Sequence, residues 1–146
     1  MSLVSGWVVF ELDGREMAGA LDEVREVVRA TGIESLTGTR APVTGVLELR
    51  GTPVPVIDLR AVGAGEQHSS SGDVLVLTTA DGVVGLAVDR VRSVLDPEGL
   101  ELPVDGPSTL PPGLPAYVRE VRRDRAGRSV LVVSLAALAG MTPTSI

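Results

Sequence analysis

Apolar and polar positions alternate with a period of two along much of the chain, the signature of strands with one face buried. Val8–Leu12 reads as one such strand. Asp13-Gly14 behind it supplies a hairpin turn, because this pair accepts the positive φ values that a tight turn requires. Met17–Leu21 is the return strand. In Asp22–Ala30, Val24, Val27 and Val28 have helical spacing while the β-branched content suits a strand, so a short turn leading into a strand is expected. Gly45–Arg50 and Val54–Arg60 make a second strand pair around Arg50-Gly51-Thr52-Pro53. Pro55 lacks a donor and belongs at an edge or bulge. Gly63–Gly72 is small, polar and turn-rich, and reads as a loop. Asp73–Thr79, the turn Asp81-Gly82 and Val83–Val88 form another hairpin, followed by a strand over Asp89–Leu95. Pro103–Pro115 holds five of the ten prolines and excludes a regular element. Tyr117–Arg122 and Ser129–Leu135 are the last strands, joined by the charged turn Arg123–Arg128, and Leu135–Met141 suits a closing helical turn. Nine or ten short strands with scarcely a helix make an all-β sandwich or barrel.

Two stretches resemble each other. Phe10–Val28 and Leu77–Leu95 each carry an Asp-Gly hairpin, an apolar return strand and then Asp-x-Val-Arg-x-Val, at Asp22–Val27 and Asp89–Val94. The Asp-Gly turns are 68 residues apart and the second motifs 67. A strand–turn–strand unit follows each, over Gly45–Leu59 and Glu120–Leu135. The plain alternative is that any two hairpins with Asp-Gly turns look alike. The ordered match reads instead as two similar small barrels. A barrel of ~70 residues has a thin core, so two packed together would be stable jointly, and the groove between them is a natural docking site.

Composition narrows the chemistry. The 146 residues are 44% apolar and 22% charged, which is ordinary for a globular protein. There is no Cys, which excludes thiolate catalysis, disulfides and Cys-based zinc sites. His68 is the single His. All 13 cations are Arg, so no lysine chemistry is available. A net charge of −6 and only three aromatics, Trp7, Phe10 and Tyr117, disfavour nucleic-acid binding. No apolar run approaches the ~20 residues of a membrane span, and the N-terminal stretch lacks the basic start of a signal peptide, so the cytosol is the expected compartment.

The run Gly45-Val46-Leu47-Glu48-Leu49-Arg50-Gly51-Thr52-Pro53-Val54-Pro55-Val56-Ile57-Asp58-Leu59-Arg60 resembles the CheW family, adaptors that couple chemoreceptors to the chemotaxis histidine kinase. The family pattern there is a Gly-Val-x-Asn-Leu-Arg-Gly hairpin leading into Pro-Val-Ile-Asp-Leu-Arg. Asp22–Val28 is similar to the family's Val-x-Glu-Val segment, and Val83–Leu95 to its Gly-x-x-Val-Asp-x-Val-x-x-Val-Leu segment. The likeness runs in order from Val8 to Leu138. Departures are Glu48 for the usual Asn, Glu120 for a Gly, Ser134 for an Asp, and a Gly38–Pro42 loop without the usual Pro-rich start. The resemblance implies an all-β fold of two interlocked five-stranded SH3-like β-barrels with very little helix. It implies a single domain over 1–146 with two pseudo-repeated subdomains, about 8–63 and 73–140, between which strand exchange is open. It also implies no catalysis, cofactor or metal. The expected partners are the regulatory domain of a histidine kinase and the cytoplasmic tip of chemoreceptors, with no nucleic acid and no direct membrane insertion.

Five residues carry the partner-binding expectation through this likeness. Arg50 matches an exposed arginine near the receptor and kinase contacts; the plain alternative is a solvated turn arginine. Glu26 matches the acidic residue that pairs with it. Val24, Gly45 and Val94 match positions lining the receptor groove. For the two valines the alternative is core packing, and for Gly45 a backbone need, either positive φ or close approach. Asp58 and Asp89 lack the Asp-Thr/Ser-Gly context of an aspartic protease. Asp58 is expected to cap a turn or pair with Arg60 or another Arg. His68 reads as a solvated loop residue, and Ser69–Ser71 have no other base to activate them. Arg119–Arg128 holds five Arg against Glu120 and Asp124, and reads as a solvated hairpin tip or a dock for an acidic partner. A small-molecule-binding β-barrel enzyme, or a regulatory module outside chemotaxis, are the competing functions. The enzyme would need a deep pocket lined by Asp58, Asp89 and Arg side chains.

Overall fold

The computed structural model describes residues 4–35, 43–60, 71–80, 82–101, 113–114 and 117–140. Asp81, His68, Ser69, Ser70, the Gly38–Pro42 loop and most of Gly63–Gly72 and Pro103–Pro115 lie outside them. Among the described residues there are eleven strands: β1 Trp7–Leu12, β2 Arg15–Ala20, β3 Val24–Arg29, β4 Glu34–Ser35, β5 Gly45–Leu49, β6 Thr52–Asp58, β7 Asp73–Thr79, β8 Gly82–Val88, β9 Arg90–Leu95, β10 Val118–Arg123 and β11 Ser129–Val133. One short helix, α1 Leu135–Gly140, follows them. The Asp22–Ala30 stretch is a 3-10 turn at Leu21–Glu23 leading into β3, as the valine spacing and β-branching together required. At the first hairpin Asp13 has φ 54 and Gly14 φ 76, the two positive values of a tight I′-type turn.

The strands form two sheets, in the order β10-β11-β2-β1-β9 and β3-β7-β8-β6-β5-β4. The first hairpin, β1–β2, is flanked only by later strands. The second, β7–β8, is flanked only by earlier ones. Each third strand of the repeat therefore leaves its own hairpin: β3 pairs with β7, and β9 pairs with β1. The registers match residue for residue. Phe10 faces Val91 as Leu77 faces Val24, and Val9 faces Ser93 as Val76 faces Glu26. Both ladders skip one residue at the same place, so Arg92 and Arg25, the arginines of the two Asp-x-Val-Arg motifs, are the bulged positions. A bulge carrying a charge twists an edge strand away from further pairing. The remaining contacts repeat too: β2–β11 and β6–β8 are both parallel, with Met17 opposite Leu131 and Gly85 opposite Val56. This is the interlocked pair of small SH3-like barrels expected, with the two-residue β4 added to one.

Alternation explains why the two cannot stand apart. On β1, Trp7 and Val9 face a cluster with Ala18, Leu100, Val130 and Val132 inside the first sheet. Val8, Phe10 and Leu12 face the other way, into a cluster shared with Leu75, Leu77 and Leu86 of the second sheet. On β7 the division repeats: Val74 and Val76 join Ala87 and Val56 inside the second sheet, while Leu75 and Leu77 enter the shared core. A strand buried on both faces needs a near-continuous apolar run, which WVVFEL and DVLVLTT supply. Each fully buried Val, Leu or Phe contributes about 1.5–3 kcal/mol. Pro55 lies in an interior strand and not in an edge strand, but pairing of β6 with β8 begins only at Val56; at Pro55 the strand is paired with β5 alone.

Candidate functional site

Arg50 and Gly51 are the two turn residues between the paired Leu49 and Thr52, with φ 49 and 83. That turn lifts the Arg50 side chain to 68% exposure. Its guanidinium forks onto Glu26 of β3, with Nη1 to Oε1 at 3.1 Å and Nη2 to Oε2 at 2.5 Å. In the flat sheet order β7, β8 and β6 separate β3 from β5. The contact requires the sheet to curl until the β5–β6 turn reaches β3, so the pair closes the mouth of the curled sheet. The hydrogen bonds and charge of Arg50 hold the Glu26 carboxyl below the ordinary glutamate value. A carboxylate so lowered contributes its stability fully above the ordinary range, and that contribution is lost as pH falls through the lowered value. A carboxyl NMR titration is expected to place Glu26 below the ordinary value and Arg50→Asn to bring it back up; an unmoved midpoint would show that the pair does not persist in solution.

The other candidate residues are placed differently. Val24 lies two residues before Glu26 on β3, half-buried against the shared core, and borders a cleft with Thr78, Thr79 and Ala136. Gly45 begins β5, at the far end of that strand from Arg50. Its φ is not positive; close approach is what requires glycine. A Cβ there would lie 2.6 Å from the Glu34 carbonyl oxygen and 3.0 Å from Ile33 Cγ2. Gly45→Ala is therefore expected to force β4 away from β5, costing about 1–3 kcal/mol in a denaturant melt. Wild-type stability in that variant would contradict the close packing. Val94 is on β9, at the edge of the other sheet, and is 58% exposed. The structure thus brings Arg50, Glu26 and, along the same strand, Val24 together, and sets Val94 apart from them.

Sequence reasoning did not find Val27, the repeat counterpart of Val94, which is 40% exposed. Aligning the two Asp-x-Val-Arg-x-Val motifs puts both valines in their last position, and that was the available signal. That reasoning expected Asp58 to cap a turn or pair with Arg60, and the pair is there, but its burial was not foreseen. Asp58 ends β6, and Arg60 donates to it three times, from Nε at 2.9 Å, Nη2 at 2.8 Å and the backbone N–H at 3.0 Å. The two side chains are 5% and 2% exposed for Arg and Asp respectively. Arg60 Nη1 also donates to the Ser71 carbonyl at 2.6 Å, tying together the two ends of segment 61–70. The Asp89 carboxylate accepts the Asp13 backbone N–H at 2.7 Å. Asp58 and Asp89 are thus engaged in holding the chain's turns, and Asp89 also borders a cleft with Arg29 and Arg90. Among the described residues no three His, Cys, Asp or Glu side chains group as metal ligands. Among the same residues no helix is long and apolar enough to cross a membrane.

A further cleft, of about 540 Å³, opens where β9 passes the β10–β11 turn, bordered by Ser93, Val94 and Arg125. On the neighbouring strands Arg122 stacks on Trp7, 4.9 Å from the ring centre, and its Nε lies 2.6 Å from Glu120.

Comparison with known proteins follows the same outline. The "Chemotaxis protein CheW" of Thermotoga maritima is 33% identical over 87 residues, 59% of this chain and 58% of that protein. The protein of the same name in Klebsiella aerogenes is 33% identical over 91 residues, 61% of this chain and 55% of the relative. The chain thus matches between half and three fifths of the length of these curated relatives. The crystal structure of the scaffolding protein TtCheW from Thermoanaerobacter tengcongensis superposes with a TM-score of 0.69 at 23% identity, over 96% of this chain and 95% of that one, and so shares the fold. The family model described as the CheW-like domain matches residues 6–143, spanning both sheets and every strand described above, and the chain belongs to that family.

Proposed function

We propose that the chain is a non-enzymatic cytoplasmic coupling adaptor of chemotaxis-type signalling. It holds a histidine kinase, through the kinase's regulatory domain, beside the cytoplasmic tips of chemoreceptors. The family match over residues 6–143 carries this reading. Its support is the fold: two small barrels locked by exchanged strands, with Asp58 and Asp89 committed to internal contacts and charged turns facing outward. The two repeats act as one rigid body with a barrel mouth at each end. The mouth closed by Arg50 and Glu26 is the partner surface, with Val24 beside it, while Gly45 supports β5 and Val94 belongs to a second contact. The mechanism is geometric. A rigid adaptor fixes the position of receptor relative to kinase, so that a small receptor shift alters the populations of kinase states. Coupling of about 1–3 kcal/mol suffices and needs no chemistry. Affinity capture from the native cytosol on the purified chain is expected to retain a histidine kinase. Recovery of metabolic enzymes or nucleic acid without any kinase would overturn the reading.

A further inference from the structure

The two barrel mouths differ at one pair of matched positions. Ser93 stands on β9 where β3 carries Glu26, since Val9 faces Ser93 across its ladder as Val76 faces Glu26. Beside Glu26 the β5–β6 turn presents Arg50. Beside Ser93 the β10–β11 turn presents Arg125, and both border the cleft of about 540 Å³. One mouth is thus shut by an internal carboxylate, and the other lacks it and is open. The other cations of the open cleft are engaged: Arg92 lies 3.5 Å from Glu11 and 3.9 Å from Glu16, and Arg128 lies 3.2 Å from Asp124. The Asp124 carboxylate is further taken up by the backbone N–H groups of Ala126 and Arg128, at 2.9 Å each. Asp96, the remaining acid of the lining, is not paired with Arg125, which has no ion pair or hydrogen bond among the described residues.

We propose that this cleft receives a carboxylate side chain from an acidic stretch of a partner protein, seated on Arg125 in the place that Glu26 fills beside Arg50. The exposed Val94 supplies an apolar wall for the residues flanking that carboxylate. The hairpin strengthens the field, with five Arg against two acids over Arg119–Arg128 in a chain of net charge −6. The proposal rests on the adaptor reading for the existence of a protein partner, and adds the chemistry by which one is held.

The test is an amide NMR titration at low salt with the capped peptide acetyl-Val-Glu-Val-Glu-Val-amide and its Gln counterpart. The Glu peptide is expected to shift residues of β9 and the β10–β11 turn, and the Gln peptide to bind about fivefold more weakly or not at all. Arg125→Gln should weaken the Glu peptide by a similar factor. Ser93→Glu, which supplies the missing acid internally, should block it, while Ser93→Gln and Arg50→Asn leave it unchanged. Equal binding of the two peptides, shifts confined to other strands, or an inert Ser93→Glu would overturn the proposal. Shifts at these residues on raising protein concentration alone would assign the cleft to a second copy and overturn it too. Kinase capture on the same wild-type protein separates the two readings: kinase retained with no peptide binding removes this proposal alone, and kinase lost removes the adaptor.

Discussion

Arg60→Met is expected to lower the thermal midpoint by roughly 10 °C, the largest stability effect of any surface-distant single change here. Arg60 and Asp58 are both almost fully enclosed, and their three hydrogen bonds satisfy one another. Removing the cation leaves the Asp58 carboxylate buried without its main partner, which costs about 3–5 kcal/mol. The Ser71 carbonyl loses a donor at the same time. Replacing both members, Arg60→Met with Asp58→Leu, should recover most of the loss, because an apolar pair of similar volume has no charge to desolvate. A single variant melting within about 2 °C of wild type would show that water reaches the pair and that it does not anchor the base of segment 61–70.

Arg50→Glu is expected to abolish kinase capture, a loss of more than about a hundredfold in affinity, with a melting midpoint within a few degrees of wild type. The small stability effect follows from exposure: Arg50 is 68% exposed, and an ion pair at that depth adds little to the fold. The binding effect follows from sign, because a reversed charge at the tip of the barrel mouth opposes any partner chosen for the original one. The double reversal Arg50→Glu with Glu26→Arg separates the two roles. It can remake the ion pair but presents the opposite charge outward, so capture should stay lost. Restored capture in the double variant would mean that the pair serves only to close the mouth. Arg50→Asn is the useful control, since Asn tolerates the positive φ of 49 at this position and removes only the charge.

Much of the fold was legible because the local signals were strong. Asp13-Gly14 specified its turn, and the double-sided apolar runs of β1 and β7 specified buried strands. The duplicated Asp-x-Val-Arg motif led to matching strands with matching bulges. Partner choice was not legible. Alternation fixes which face of β3 is inward, but nothing in VREVVR says that it leaves β2 to pair with β7. The two-residue β4 carries no periodicity at all. In the candidate site, the Arg50–Glu26 pair was within reach through family likeness, whereas the burial of Asp58 and Arg60 was not. Charged residues two apart at the end of a strand ordinarily face solvent. Their enclosure depends on Ser71 and Gly72 returning from the far side of segment 61–70, a contact that no local pattern encodes. Val94 was read equally as core or contact because it belongs to an apolar pattern. Its exposure follows from β9 being a sheet edge, which only the strand exchange determines.

As the proposed adaptor, this chain transmits receptor state to a kinase by position alone. The most direct measurement is kinase autophosphorylation in a reconstitution of receptor-bearing vesicles and histidine kinase, with and without the purified chain. Kinase should sediment with the vesicles, and its rate should respond to receptor ligand, only when the chain is present. A kinase that responds equally without the chain, or that stays in the supernatant with it, would show that the chain is not the coupling adaptor.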